Sequence, residues 1–187
     1  MKGSSGTAYT DKFGLVFYFQ ALTRILGSPG QFFEELPQDT GYRRPFGFLL
    51  ISSLFFVGAS LTQAHDKPWF MAAILFLNAL GMTFITAGVG FMVMGMIRGR
   101  RIPFPRIFAV CAYSSGVTMF ASWIPLFVWI TEPWKWILIS IGMVRACALS
   151  WKQTILVMGI SIFVIVLFFW SVMPVILYLR GSVGYPS

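Results

Sequence analysis

The sequence predicts an all-α, polytopic membrane helical bundle: five transmembrane helices, preceded by an N-terminal interfacial amphipathic helix and a short second helix. Three observations carry this. Only 11% of the 187 residues are charged, whereas 57% are hydrophobic, with a mean hydropathy of +0.78. A soluble domain averages roughly 25% charged residues, so this chain could not cover a water-facing surface. The apolar residues are gathered into uncharged runs long enough to cross a hydrocarbon core of about 30 Å at 1.5 Å per residue. The basic residues cluster between those runs, as topology determinants do.

The N-terminal stretch, residues 1–45, precedes the first long run. Leu15, Tyr18, Phe19, Leu22, Ile25 and Leu26 recur at helical spacing, and Phe13, Val16 and Phe17 widen that face. Gln20, Thr23 and Arg24 lie away from it, so 13–26 reads as a helix in the headgroup plane, ended by Gly27. Ser28-Pro29-Gly30-Gln31 then restarts a helix over 29–36, with Ser28 as N-cap, Pro29 in the first turn and Gln31 completing a capping box. In this short elbow Phe32, Phe33 and Leu36 are expected to meet lipid, and Glu34 and Glu35 to stay in water. A catalytic carboxylate pair is not expected there, because no nucleophile or third acid accompanies the two glutamates.

The uncharged runs follow: Phe46–Ala64, Trp69–Ile97, Ile107–Thr131 and Gln153–Leu179. Backbone polar groups in lipid must be satisfied within the segment, so these are helices. Between them, Pro133–Trp151 holds only nine uncharged residues between Lys135 and Arg145, but Trp134, Trp136 and Trp151 bracket it as interface aromatics do. It reads as a short fourth span, with spans at about 46–64, 69–97, 107–130, 133–150 and 153–179 and a tail at 181–187. Five spans place Lys2, Lys12, Arg24, Arg43, Arg44, Arg98, Arg100, Arg101, Arg106, Arg145 and Lys152 on one side. Only Lys67, Lys135 and Arg180 fall on the other. The eleven-to-three split puts the N-terminus in the cytoplasm and the C-terminus outside; four spans give ten to four and the same N-terminal side. No cleavable signal peptide is read in the N-terminal run, which Gln20 and Arg24 interrupt.

Chemistry-bearing residues are sparse. All six acids, Asp11, Glu34, Glu35, Asp39, Asp66 and Glu132, fall in tails or loops of this scheme, unlike those of a proton-coupled carrier. The lone His65 reads as a solvated loop residue, so no metal site or Ser–His–Asp set is expected, no cofactor, and no enzymatic activity. Cys111 and Cys147 read as buried thiols. The net charge of +8 sits in no nucleic-acid groove; Arg98, Arg100, Arg101 and Arg106 form a basic cluster suited to topology and to anionic lipid headgroups. Asn78 is the amide well inside a span, read first as a helix–helix hydrogen bonder. With Thr83 and Thr86 it alternatively lines a small transporter or channel. Small residues four apart (Gly95/Gly99, Ala112/Gly116, Gly142/Ala146/Ser150) indicate close helix packing within the chain or in a homo-oligomer.

Several stretches together form a pattern: P-x-x-F-F-x-x-L (Pro29, Phe32, Phe33, Leu36), RIFAVCAYSS (Arg106–Ser115), WIP (Trp123–Pro125) and IGMVRACALSWKQ (Ile141–Gln153). Over roughly Phe13 to Leu179 the chain resembles the YIP domain family, in its compact prokaryotic form. The resemblance implies a five-helix membrane bundle without catalytic activity, in a prokaryotic cytoplasmic membrane. Eukaryotic members bind Rab-type GTPases and one another and serve traffic and membrane shaping. Their long acidic or polar N-terminal region has no counterpart in residues 1–45. The expected role is a membrane-organising or scaffold protein that binds partners or lipids through the FFEEL elbow and the Arg98–Arg106 loop. An accessory subunit of a larger membrane complex is a further alternative.

Overall fold

Prolines and short polar links punctuate a chain that is otherwise helix. The computed structural model describes residues 14–37, 39–62, 68–98 and 102–183. They form α1 (Leu15–Gly27), α2 (Pro29–Glu34), α3 (Arg43–Leu61), α4 (Pro68–Arg98), α5 (Phe104–Ser122), a 3-10 turn (Pro125–Phe127), α6 (Val128–Ala146) and α7 (Trp151–Val183), with no strand among the described residues. Among the described residues, three helices are long and apolar enough to cross a membrane: α3, α4 over Trp69–Ile97, and α7 over Trp151–Pro174.

The run Ile107–Thr131 is divided between two helices. Pro125 holds Ile124 in an extended conformation (φ −86°, ψ 120°), as a residue before proline prefers, and α5 ends at Ser122. Next, α6 starts at Val128 and carries Pro133 inside it. Its 19 residues measure about 28 Å as helix. Lys135, one of the two charges that bounded its uncharged window, pairs with Glu132 one turn earlier at 2.7 Å. At α2, Ser28 makes no side-chain cap: with ψ at 70° it serves as the junction, its N–H donating to the Arg24 carbonyl and its carbonyl accepting from Phe32. A capping box does form at the start of α7. There the Ser150 N–H donates to Gln153 Oε1 and the Gln153 N–H to Ser150 Oγ, each at 3.3 Å.

Helix α5 is the axis of the bundle, packed against α1, α3, α4 and α6. Twelve consecutive residues, Ile107–Thr118, are buried all round. Their alanines, serines, cysteine and glycine let neighbouring backbones come close. At Gly116 a Cβ would stand 2.7 Å from the Phe48 ring and 3.0 Å from Ser52 Oγ, so α3 lies directly on it. At Gly142 a Cβ would stand 2.4 Å from Val110 Cγ1 and 3.3 Å from Phe33, so α6, α5 and α2 converge there.

Successive long helices alternate in direction, which brings the starts of α3, α5 and α7 and the ends of α4 and α6 to one end. Aromatic contacts fix this level: Tyr42 lies 5.9 Å from Phe108, Phe91 5.6 Å from Phe104, and Phe84 4.7 Å from Phe108. Helices α1 and α2 pack against α5 and α6 respectively. Most of the core lies towards this end. In α7 the buried residues are Thr154, Val157, Met158 and Ser161, and none of 162–174 is buried; in α4 none of 69–78 is.

Candidate functional site: the α1–α2 elbow face

The elbow is held by its apolar side chains. Tyr18, Ala21 and Ile25 turn one face of α1 into the bundle. The Tyr18 ring lies 4.8 Å from Phe48 and its hydroxyl 3.0 Å from Ser52 Oγ. Burial raises the Tyr18 pKa above its ordinary value, and the bond to Ser52 acts in the opposite direction. Leu15, Val16, Phe19 and Leu26 remain exposed on the other face. The apolar stripe read from the sequence is therefore shared between the protein interior and the outside. Arg44 stands 5.6 Å over the Phe17 ring, tying the start of α3 to α1.

In α2 the outcome differs from the expectation of lipid contact. Phe33 is fully buried, and Phe32 and Leu36 nearly so. Phe32 meets Tyr113 edge-on at 5.0 Å, and Phe33 fills the space left by the missing side chain of Gly142. The reason is that α2 packs against α6, so its apolar face meets protein before it can meet lipid. Glu34 and Glu35 do face outward, where both are paired across helices. Arg145 Nη1, in the last turn of α6, donates to Glu34 Oε2 at 3.2 Å; Arg24 Nη2, in the last turn of α1, donates to Glu35 Oε2 at 2.7 Å. All four side chains are more than half exposed. Both cations also sit at helix C-termini, where positive charge is favoured. The Thr40 hydroxyl donates to the Pro37 carbonyl and closes the turn towards α3.

Of the basic residues marked from the sequence, only part falls within the described residues. Arg106 lies in the first turn of α5, its N–H bonded to the Pro103 carbonyl and its Nε buried without a partner. Arg98 closes α4; its side chain, with Arg100, Arg101 and Gly99, lies outside the described residues, as do His65, Asp66 and Lys67. The structure thus brings Phe32, Phe33, Glu34, Glu35 and Leu36 together with Arg24 and Arg145, which the sequence pattern had marked only as topology charges. The signal for that pairing was available: two acids on a short helix, with cations at the ends of two neighbouring helices.

The intramembrane polar residues do not form one surface. Thr83 is buried and donates to the Ala79 carbonyl; Thr86 donates to the Met82 carbonyl; Asn78 is exposed. At 100° per residue, Asn78 and Thr83 stand about 140° apart around α4. Cys111 and Cys147 are both buried. Among the described residues, no three His, Cys, Asp or Glu side chains are grouped as metal ligands would be.

No curated protein and no solved structure matches the chain. A family model for the Yip1 domain matches residues 23–173, from the last turn of α1, through the elbow and the bundle, to Met173 in α7. The chain is a multi-pass integral membrane protein that belongs to the Yip1 domain family.

Proposed function

We propose that this Yip1-domain protein is a non-enzymatic membrane scaffold with five crossings, its N-terminus in the cytoplasm and its C-terminus outside, in a prokaryotic inner membrane. Its elbow face is a docking platform for a membrane-protein partner and for anionic headgroups. The observation that carries this reading is the elbow itself. A six-residue helix, too short to be stable alone, is anchored by buried phenylalanines, and Glu34 and Glu35 at its end pair with Arg145 of α6 and Arg24 of α1 in a row of exposed charge. Exposed pairs of this kind add little stability, typically about 0–1 kcal/mol each, so their geometry serves recognition better than folding. The arginines at 98, 100, 101 and 106 are close together in the sequence, and each basic residue near an anionic leaflet is worth about 1 kcal/mol.

The test is recovery from native membranes under mild solubilisation. Wild-type protein is expected to retain a stoichiometric partner, enriched anionic phospholipid, or both. Glu34→Ala with Glu35→Ala is expected to lose the partner, and Arg98→Gln, Arg100→Gln and Arg101→Gln together to lose the lipid enrichment. Recovery of the wild-type protein alone, with bulk lipid composition, sinks the proposal.

A further inference from the structure

The second long helix carries a polar side chain that the protomer leaves unserved. Asn78 is exposed on α4 and has no hydrogen-bond partner among the described residues, whereas Thr83 and Thr86 on the same helix are both bonded to its backbone. It lies nine residues inward from Trp69, about 14 Å along the axis, which is close to mid-depth in a hydrocarbon core of about 30 Å. At that depth no water is available to an amide with two donors and an acceptor.

The exposed face around Asn78 has a heptad period. Met71, Asn78, Ile85 and Met92 are spaced by seven, and all four are exposed. Ile74, Gly81, Gly88 and Gly95 form a second line, also spaced by seven and offset by three or four from the first; a Cβ built on any of these glycines meets nothing within 4 Å. The two lines are the a and d positions of a coiled-coil seam, running about three and a half turns of the repeat along α4. They face away from Ala79, Thr83, Ala87 and Val93, which pack into the bundle. Beside Gly95, at one end of the seam, an apolar cavity of about 340 Å³ is open to receive a side chain.

We infer that this seam is the interface of a parallel homodimer in which α4 of each copy packs along α4 of the other. The occupant follows from depth. Two copies inserted in the same orientation are related by an axis along the membrane normal, so α4 runs parallel to α4 and Asn78 meets the partner copy's amide at the same level. An amide is self-complementary, donating and accepting at once. A single asparagine at an a position fixes register and the two-stranded state, and the three glycines let the backbones approach. The inference stands apart from the elbow platform, which lies on other helices.

Energy transfer between separately labelled full-length copies tests it, in vesicles of phosphatidylethanolamine and phosphatidylglycerol with increasing dilution by lipid. Wild type is expected to associate. Asn78→Leu is expected to shift the dissociation midpoint to about ten-fold higher protein density, and Asn78→Gln to restore it. Gly88→Ile is expected to abolish association by filling the seam. At the dilution where each is monomeric, thermal unfolding should be similar in all three, because Asn78 is exposed and a Cβ at Gly88 meets nothing within 4 Å. Ile85→Cys is expected to cross-link to itself, and Phe163→Cys on α7 not to. The proposal is overturned by wild-type transfer no greater than random proximity, by Asn78→Leu and Gly88→Ile both associating as wild type, or by cross-linking at Phe163→Cys instead of Ile85→Cys.

Discussion

Glycine 142 shows how one missing side chain positions three helices. Its absent Cβ is where Val110 Cγ1 and the Phe33 ring stand. Gly142→Ala must displace a β-branched side chain that is itself fully buried, and overpacking of this kind costs about 1–3 kcal/mol. Gly116→Ala is expected to cost a similar amount against the buried Phe48 ring, whereas Gly58→Ala and Gly159→Ala, which meet nothing within 4 Å, are expected to be neutral. Unfolding by denaturing detergent in mixed micelles ranks these variants. Val110→Ala added to Gly142→Ala should recover part of the loss, because it removes the clashing methyl groups. The sequence marked Gly116 and Gly142 as small residues suited to close packing. Which neighbour each admits was not legible, because spacing along one helix carries no information about the helix opposite. Phe32, Phe33 and Leu36 misled for the same reason: an apolar side chain near a membrane is written identically whether it meets lipid or protein.

At the scale of elements, helices with an uninterrupted period were legible, and those divided by proline were less so. The long runs of α4 and α7 read directly from the sequence, since no charge interrupts Trp69–Ile97 or Gln153–Leu179. The α5–α6 boundary did not, because Trp123–Phe127 are as apolar as the helices they separate, and only Pro125 marks the turn. The docking of α1 depends on one hydroxyl that periodicity could not single out. Tyr18 is neutral in its buried site, and burial holds its pKa above 10, the value it takes in the unfolded chain. A raised tyrosine pKa means that the native form binds its proton more tightly. The contribution of Tyr18 to docking is therefore complete below pH 10 and is lost as pH climbs through the native pKa. Proteolysis of the segment between α1 and α3, or mass-resolved hydrogen exchange in α1, is expected to show alkaline release of α1 in the wild type. Tyr18→Phe should weaken docking by about 1 kcal/mol at neutral pH, since Ser52 loses its partner, and should abolish the dependence on pH above 10.

The whole molecule is asymmetric along its helices, and this decides where mutations matter. Protein-protein burial is concentrated towards the elbow end, where α1, α2 and the aromatic cluster of Tyr42, Phe84, Phe91, Phe104 and Phe108 gather. Towards the other end α4 and α7 expose Trp69, Phe70, Phe163, Leu167 and Trp170. In water such surfaces would be untenable. In a bilayer they cost nothing, because an acyl chain is as apolar as leucine and helix association gains no hydrophobic term there. Stability must then come from tight packing near the elbow, where dispersion contacts are dense and cavities are penalised. The same truncation should accordingly have opposite weight at the two ends. Ile139→Ala and Phe48→Ala, both fully buried, are expected to destabilise by about 2–5 kcal/mol. Phe163→Ala and Leu167→Ala are expected to stay within about 0.5 kcal/mol of wild type, since lipid fills the space that they vacate. Equilibrium unfolding of the four variants in one lipid-detergent mixture measures the contrast. Equal losses at both ends would mean that the exposed half of α7 is packed against protein in the membrane.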